Sequence, residues 1–389
     1  MKVAFVHELL TMRGGAERVL RILADLFPDA PIFTLLYDKQ KLGDWFPKER
    51  VRISGLQNRF FPTPYPLLPT PYRFNHHLYL RKFPSAVEAW DFSECDLVIS
   101  SSSAFAHGII TNGKPKHLCY VHSPARYLWD RTHDVLERAG KGILGPLKRW
   151  HLERTFHPLR IWDAESADRP DKLIAASKEV QRRIELYWRR ESSVIYPPID
   201  DFWFKTSNQK PITSNFALIV STLAPYKRID LAIAACNTLK IPLKIAGEGP
   251  DRKRLERMAG PTVEFLGYRT EEQLKDLYAN AMATLLPGEE DFGLVPLESM
   301  ACGTPVIAYR AGGPLETVIE GKTGAFFDEP TTDALSDVLR SFRRETFDPE
   351  ACREQARKFA RANFEEQIQQ AVTELMHASP HPRRGAAHL

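Results

Sequence analysis

The feature that most constrains this chain is a repeated alternation. Short apolar runs end in a polar or glycine-bearing turn, and a stretch with helical spacing follows. Lys2–His7, Asp96–Ser103, His117–Val121 and Leu173–Ser177 are such runs in the first half. Segments 215–221, Leu243–Ala246, Val263–Tyr268 and Ala283–Pro287 continue the rhythm in the second. Runs this short suit strands rather than helices, and near-continuous apolarity suits strands covered on both faces. Strands alternating with helices build a parallel sheet, so the expected fold class is α/β with doubly wound, Rossmann-like domains. Pro197-Pro198 interrupts the alternation and marks a linker. The length, 389 residues, fits two domains at ~100–200 residues each.

Composition excludes several classes. With 43% hydrophobic and 26% charged residues, the chain can bury cores and is not a disordered composition. A net charge of +4 gives no case for nucleic acid, which needs a clustered basic face. The five cysteines are scattered, odd in number and free of C-x-x-C spacing, so they read as buried thiols of a reducing compartment. Met1–His7 passes directly into a strand-like run without an apolar leader. No stretch approaches the ~18 apolar residues of a membrane span. The expected location is cytoplasmic, at the inner membrane face if residues 57–83 meet lipid.

Most chemistry concentrates in Gly288-Glu289-Glu290-Asp291-Phe292-Gly293-Leu294-Val295-Pro296-Leu297-Glu298, followed by Ser299-Met300-Ala301-Cys302-Gly303-Thr304-Pro305-Val306-Ile307. Pro296 suits a first helical turn and Gly303 a helix stop. Glu290 then lies in the loop before the helix and Glu298 within it. The loop follows the strand at 283–287, where open α/β sheets bind ligands.

The pattern E-D-F-G-L-x-P-L-E, then A-C-G-T-P-V-I-A, resembles the retaining glycosyltransferases of family four, which have GT-B architecture. The resemblance implies two doubly wound domains facing across a cleft. Residues 1–197, completed by a returning helix at about 363–378, would form the acceptor side, and 198–362 would bind the nucleotide sugar. It places Glu290 at the donor sugar and Glu298 on the ribose, with Phe292, Gly293 and Leu294 lining the nucleotide site. Gly14 and Gly15, between a strand and a helix start where bare N–H groups can meet an anion, match the glycine loop facing the donor diphosphate and acceptor. His122, after the strand 117–121, matches the histidine that touches the sugar. Lys227 and Arg228 match the pyrophosphate grip, Gly247 the glycine turn, and Tyr268 the residue at the base. Arg126 either holds a phosphate or pairs with Asp130. Thr222 departs from the pattern, standing where relatives carry arginine.

No D-x-D triplet occurs, so the expectation is a metal-independent transferase without a separate cofactor. Glu290, His122 and Lys227 would be its catalytic groups. The H-S-P-x-R-Y-x-W-D segment (122–130) and Y-P-P-I-D (196–200) look most like mannosyltransferases of lipid-linked or polysaccharide assembly, which favours GDP-mannose over a UDP-sugar. A GT-B nucleotide-sugar epimerase and a non-catalytic two-lobed sugar-binding protein are the rivals. Residues 57–83 hold no acid, four basic residues, five prolines and seven aromatics. They read either as a membrane-surface contact or as an insertion packed on its own domain. The tail 379–389 has no apolar pattern and is expected to be disordered.

Overall fold

The structure, a computed structural model, describes residues 1–60, 76–205 and 215–378. The chain divides into two compact units, Met1–Ile195 with Glu365–Leu389, and Tyr196–Phe364.

The first unit is built on a wholly parallel sheet of seven strands: β1 (Val3–Leu10), β2 (Ile32–Tyr37), β3 (Val51–Ile53), β4 (Leu97–Ser102), β5 (Lys116–Val121), β6 (Lys172–Ala175) and β7 (Ser193–Val194). Their order is β3-β2-β1-β4-β5-β6-β7, so the direction of travel reverses between β1 and β4. A crevice opens at such a reversal beyond the carboxyl ends of the strands. The pairing of Phe5 with Ile99 and His7 with Ser101 brings the ends of β1 and β4 level.

The second unit repeats the plan with β8 (Ala217–Val220), β9 (Leu243–Ala246), β10 (Val263–Gly267), β11 (Ala283–Leu286), β12 (Val306–Tyr309) and β13 (Gly324–Phe327). The order β10-β9-β8-β11-β12-β13 puts its reversal between β8 and β11. Helix Ile229–Leu239 buries Ile229, Ala232, Ile233 and Cys236 on one face of this sheet. Helix Val295–Ala301 buries Leu297 and Met300 in a separate core cluster that also contains Leu218, Ala246, Val306 and Ala308.

Three local features depart from plain strand and helix periodicity. β1 runs to Leu10, because Leu9 and Leu10 still pair with Leu36 and Tyr37 of β2, so Glu8 is strand rather than loop. The helical run from Lys178 is α only to Arg183 and finishes as a π turn at Trp188, with Arg189 left-handed at φ 53°. The final helical stretch breaks between Arg357 and Arg361. There Phe359 is buried in the second unit's core and its carbonyl accepts from Ile199 N–H at 2.8 Å, which pulls the backbone out of the helix.

Most of 57–83 and all of 379–389 fall outside the described residues. The described ends of the former stretch pack on the first unit. Gln57 brackets Tyr37, accepting from its N–H at 2.7 Å and donating to its carbonyl at 3.2 Å. Leu80 and Phe83 are buried, the Phe83 ring 5.2 Å from Phe105.

Candidate active site

In the second unit, both switch-point strands deliver a charge. A 3-10 turn, Pro225–Lys227, follows β8 and presents Lys227, while the loop after β11 presents Glu290. The Lys227 ammonium ion-pairs with Glu290 Oε1. Burial alone would lower the Lys227 pKa, but the Glu290 carboxylate outweighs it and the pKa is raised. The Tyr226 ring lies 5.1 Å from the same Nζ.

Glycines make this approach possible. A Cβ on Gly288 would stand 2.6 Å from the Tyr226 carbonyl and 2.8 Å from Lys227 C, so only glycine lets the Glu290 loop pass so close. On its other side, Gly313 N–H donates to the Glu290 carbonyl at 2.8 Å. Gly313 also touches the Phe292 backbone, where an added Cβ would come within 2.2 Å. The turn Ala311–Glu316 therefore acts as a backbone clamp on the loop that carries Glu290.

The other expected residues of this unit separate into three kinds. Glu298 is 3% exposed, and its Oε2 accepts from Tyr278 O–H at 2.8 Å. Gly293, at φ +84°, and Leu294, whose carbonyl accepts from Glu298 N–H, shape the turn into the helix. The Phe292 ring is buried in the core, 5.5 Å from Tyr196 and 5.7 Å from Phe359. Apolar burial claims that side chain and leaves only its backbone facing the loop. Gly247, at φ +130°, sits against the Ser221 carbonyl and donates to Gly267 O at 2.8 Å, tying the ends of β8, β9 and β10 together. Tyr268, just beyond β10, is 67% exposed.

Arg228 is not aligned with Lys227. It adopts the left-handed conformation at φ 51°, and its guanidinium turns to Asp230 at 3.6 Å and the Pro330 carbonyl at 3.4 Å. Thr222 is exposed, and its carbonyl accepts from Ala224 N–H at 2.8 Å.

The first unit assembles its own polar cluster at the β1/β4 reversal. His122 Nε2 shares a hydrogen bond with Ser101 Oγ at 2.8 Å, and Ser101 Oγ lies 3.1 Å from His7 Nδ1. Burial, with His7 close by, drops the His122 pKa to about 3, so this imidazole is neutral at physiological pH. Burial also works to lower His7, but the Glu17 and Glu8 carboxylates prevail and its pKa is raised. Glu17 Oε1 stands 3.8 Å from His7 Nε2, while Oε2 accepts from Gly14 N–H at 3.1 Å. Gly14 is the extended residue before helix Gly15–Leu26. The glycine loop and the histidines are thus joined through one carboxylate.

Glu8 was absent from the expected site. Its Oε1 accepts from four successive backbone amides, Ser103 to Ala106, at 2.8–3.1 Å, and from Ser102 Oγ at 3.0 Å. Burial opposes its ionisation, yet His7 and these amides hold its pKa at about 2. A His-Glu pair within an otherwise apolar strand is the signal that could have flagged both residues. Arg126 pairs with Asp130 at 3.1 Å. Asp130 also meets the buried Arg183 at 3.5 Å. Trp129 donates to the buried Asp163 at 2.8 Å, as does Trp188 at 2.7 Å. Several residues of the 122–130 segment thereby anchor the strand-end loop to the helices behind it.

Residues 202–359 match the family described as glycosyl transferases group 1. Over 119 residues the chain is 39% identical to a GDP-mannose-dependent alpha-(1-6)-phosphatidylinositol dimannoside mannosyltransferase of Mycobacterium tuberculosis, covering 30% of this chain and 31% of that one. It is 32% identical over 222 residues to glycogen synthase of the same organism, covering 53% and 52%. These alignments span about a third to a half of the relatives' lengths. In fold, the chain is similar to Anabaena Alr3699/HepE in complex with UDP, with a TM-score of 0.67 and 19% identity over 96% of this chain and all of that one. The chain thus has two parallel α/β units on the GT-B plan, and the second, with the Glu290 loop inside the matched span, is similar to the group 1 glycosyl transferases.

Proposed function

We propose that this protein is a retaining, metal-independent hexosyltransferase that moves mannose from GDP-mannose to a lipid-linked or polysaccharide acceptor. The observation that carries the reading is the Lys227–Glu290 pair at the β8/β11 reversal. A leaving diphosphate gains negative charge as the glycosidic C–O bond breaks, and a fixed ammonium stabilises that charge without reorganisation. The incoming phosphate takes over Lys227 and releases the Glu290 carboxylate to orient the sugar and stabilise its oxocarbenium character. The acceptor hydroxyl attacks the anomeric carbon on the face the diphosphate leaves, and its proton passes to a departing phosphate oxygen. His122, being neutral, offers the sugar a hydrogen bond and no charge.

Mannose is favoured because the GDP-mannose-dependent relative shares 39% identity over 119 residues, against 19% over 96% of this chain for the UDP-bound neighbour. The test is a thermal-shift panel of GDP-, UDP-, ADP- and dTDP-sugars with and without EDTA. A ligand at 100 times its Kd stabilises by about 2.7 kcal/mol. GDP-mannose should give the largest shift, and transfer should survive EDTA. A larger shift with a UDP-sugar would replace the donor assignment. Turnover lost in EDTA and restored by manganese would remove metal independence.

A further inference from the structure

The hairpin formed by helix Thr132–Ala139 and helix Gly145–Ser166 carries apolar side chains where none is needed for the core. Ile143 at its tip is fully exposed, and Leu144, Leu147 and Trp150 are 61%, 62% and 50% exposed. The tip is firmly shaped rather than loose. Gly145 N–H donates to the Gly142 carbonyl at 2.9 Å, and Gly145 lies so close to the Gly140 carbonyl that a Cβ would come within 2.0 Å. From Pro146 to His151 every residue is exposed, so the first turns of the long helix stand clear of the unit; its buried face begins with Thr155 and Phe156.

Leu147, Trp150 and Arg154 recur at helical spacing and share one side. The Arg154 guanidinium lies 4.6 Å over the Trp150 ring. Of the acids nearest the tip, Glu137 pairs with Lys141 at 3.5 Å and Glu153 with Arg149 at 2.8 Å. Lys148 and Arg154 have no acidic partner among the described residues, leaving the surface positive. Apolar residues at a projecting tip, a tryptophan behind them and unmatched cations beside it are the chemistry of an interfacial anchor.

We propose that this hairpin tip docks the protein on an anionic lipid surface, with Ile143, Leu144, Leu147 and Trp150 entering the headgroup boundary and Lys148 and Arg154 meeting lipid phosphates. The proposal uses no residue of 57–83 and is independent of which sugar nucleotide is the donor. A protein partner is disfavoured by the shape, since the residues crown a projecting turn instead of lining a groove.

The experiment is co-sedimentation of the full chain with vesicles of phosphatidylcholine alone or mixed with phosphatidylglycerol. Binding should require phosphatidylglycerol and fall as salt rises, because exposed charges are screened beyond a Debye length. K148Q and R154Q should each weaken partitioning roughly fivefold. The triple variant I143S/L147S/W150S should abolish binding while keeping wild-type circular dichroism and GDP affinity, since these side chains are exposed. W150F should retain binding but lose a blue shift in tryptophan emission that wild type shows on vesicles. A triple variant that sediments like wild type overturns the proposal, as does equal binding to phosphatidylcholine alone. A concentration-dependent dimer abolished by the triple variant, without vesicle binding, would assign the tip to a second copy instead.

Discussion

Lys227 is paired with Glu290, and on the proposed function the donor phosphate and Glu290 would compete for that one cation. Glu290→Gln should therefore leave diphosphate-product affinity unchanged or tighter, while kcat falls about 100-fold or more, the usual cost of losing one transition-state electrostatic contact. Single-turnover kinetics and product inhibition separate the two effects, and an unaltered kcat would take Glu290 out of the chemistry. Glu298→Gln should act on nucleotide affinity, and also on stability, because it weakens the acceptor of the buried Tyr278 hydroxyl.

Glu8 obeys a different logic. Its pKa of about 2 in the folded protein lies below the ordinary 4.5, so its stabilising contribution is complete above about pH 4.5 and is lost as pH falls towards 2. Four amides aimed at one oxygen also need the charge. Glu8→Gln should cost roughly 2–4 kcal/mol at neutral pH and flatten the acid limb of the stability curve. Urea denaturation across pH measures both. Equal acid sensitivity in variant and wild type would show that another group controls that limb.

At the scale of elements, the Glu290 loop is positioned by backbone contacts. Gly288 admits it against the 226–227 backbone, and Gly313 clamps it from the far side. Gly313 has φ −56°, a value alanine adopts freely, so Gly313→Ala tests packing without left-handed strain. The added methyl has backbone in its way and cannot be accommodated by a side-chain rotation. Transfer should drop ten- to a hundredfold, on the order expected for a displacement near 1 Å of a reacting group. Far-ultraviolet circular dichroism should be unchanged. Wild-type kcat in this variant would mean the loop does not need the clamp.

For the whole molecule, each unit has its own sheet and its own buried clusters. Independent cores give separable unfolding, and a ligand stabilises the unit that binds it. Differential scanning calorimetry should resolve two transitions, and GDP should raise the one belonging to Tyr196–Phe364. The Trp203 environment, within that unit's core, offers an optical check by comparison with Trp203→Phe. A single transition raised as a block would indicate that the units unfold together.

The sequence by itself determined the α/β alternation and the turn-to-helix context of Glu290 and Glu298. Periodicity, proline and glycine act over a few residues and leave their mark locally. The Arg126–Asp130 pair was readable for the same reason, its members being four residues apart. Tertiary structure alone decided the rest. Phe292 lies in the same motif as Glu290, yet Tyr196 and Phe359, distant in sequence, draw its ring into the core. In the sequence, His7 closes the first strand run and Glu8 follows it with no sign of a partner. Their partners lie 94 to 98 residues away in and after β4, and only the parallel pairing of β1 with β4 brings them together. Arg228 was expected beside Lys227, but a left-handed backbone turned it towards Asp230. Burial and charge pairing are set by whichever groups the sheet order makes neighbours, and that order is not written in local spacing.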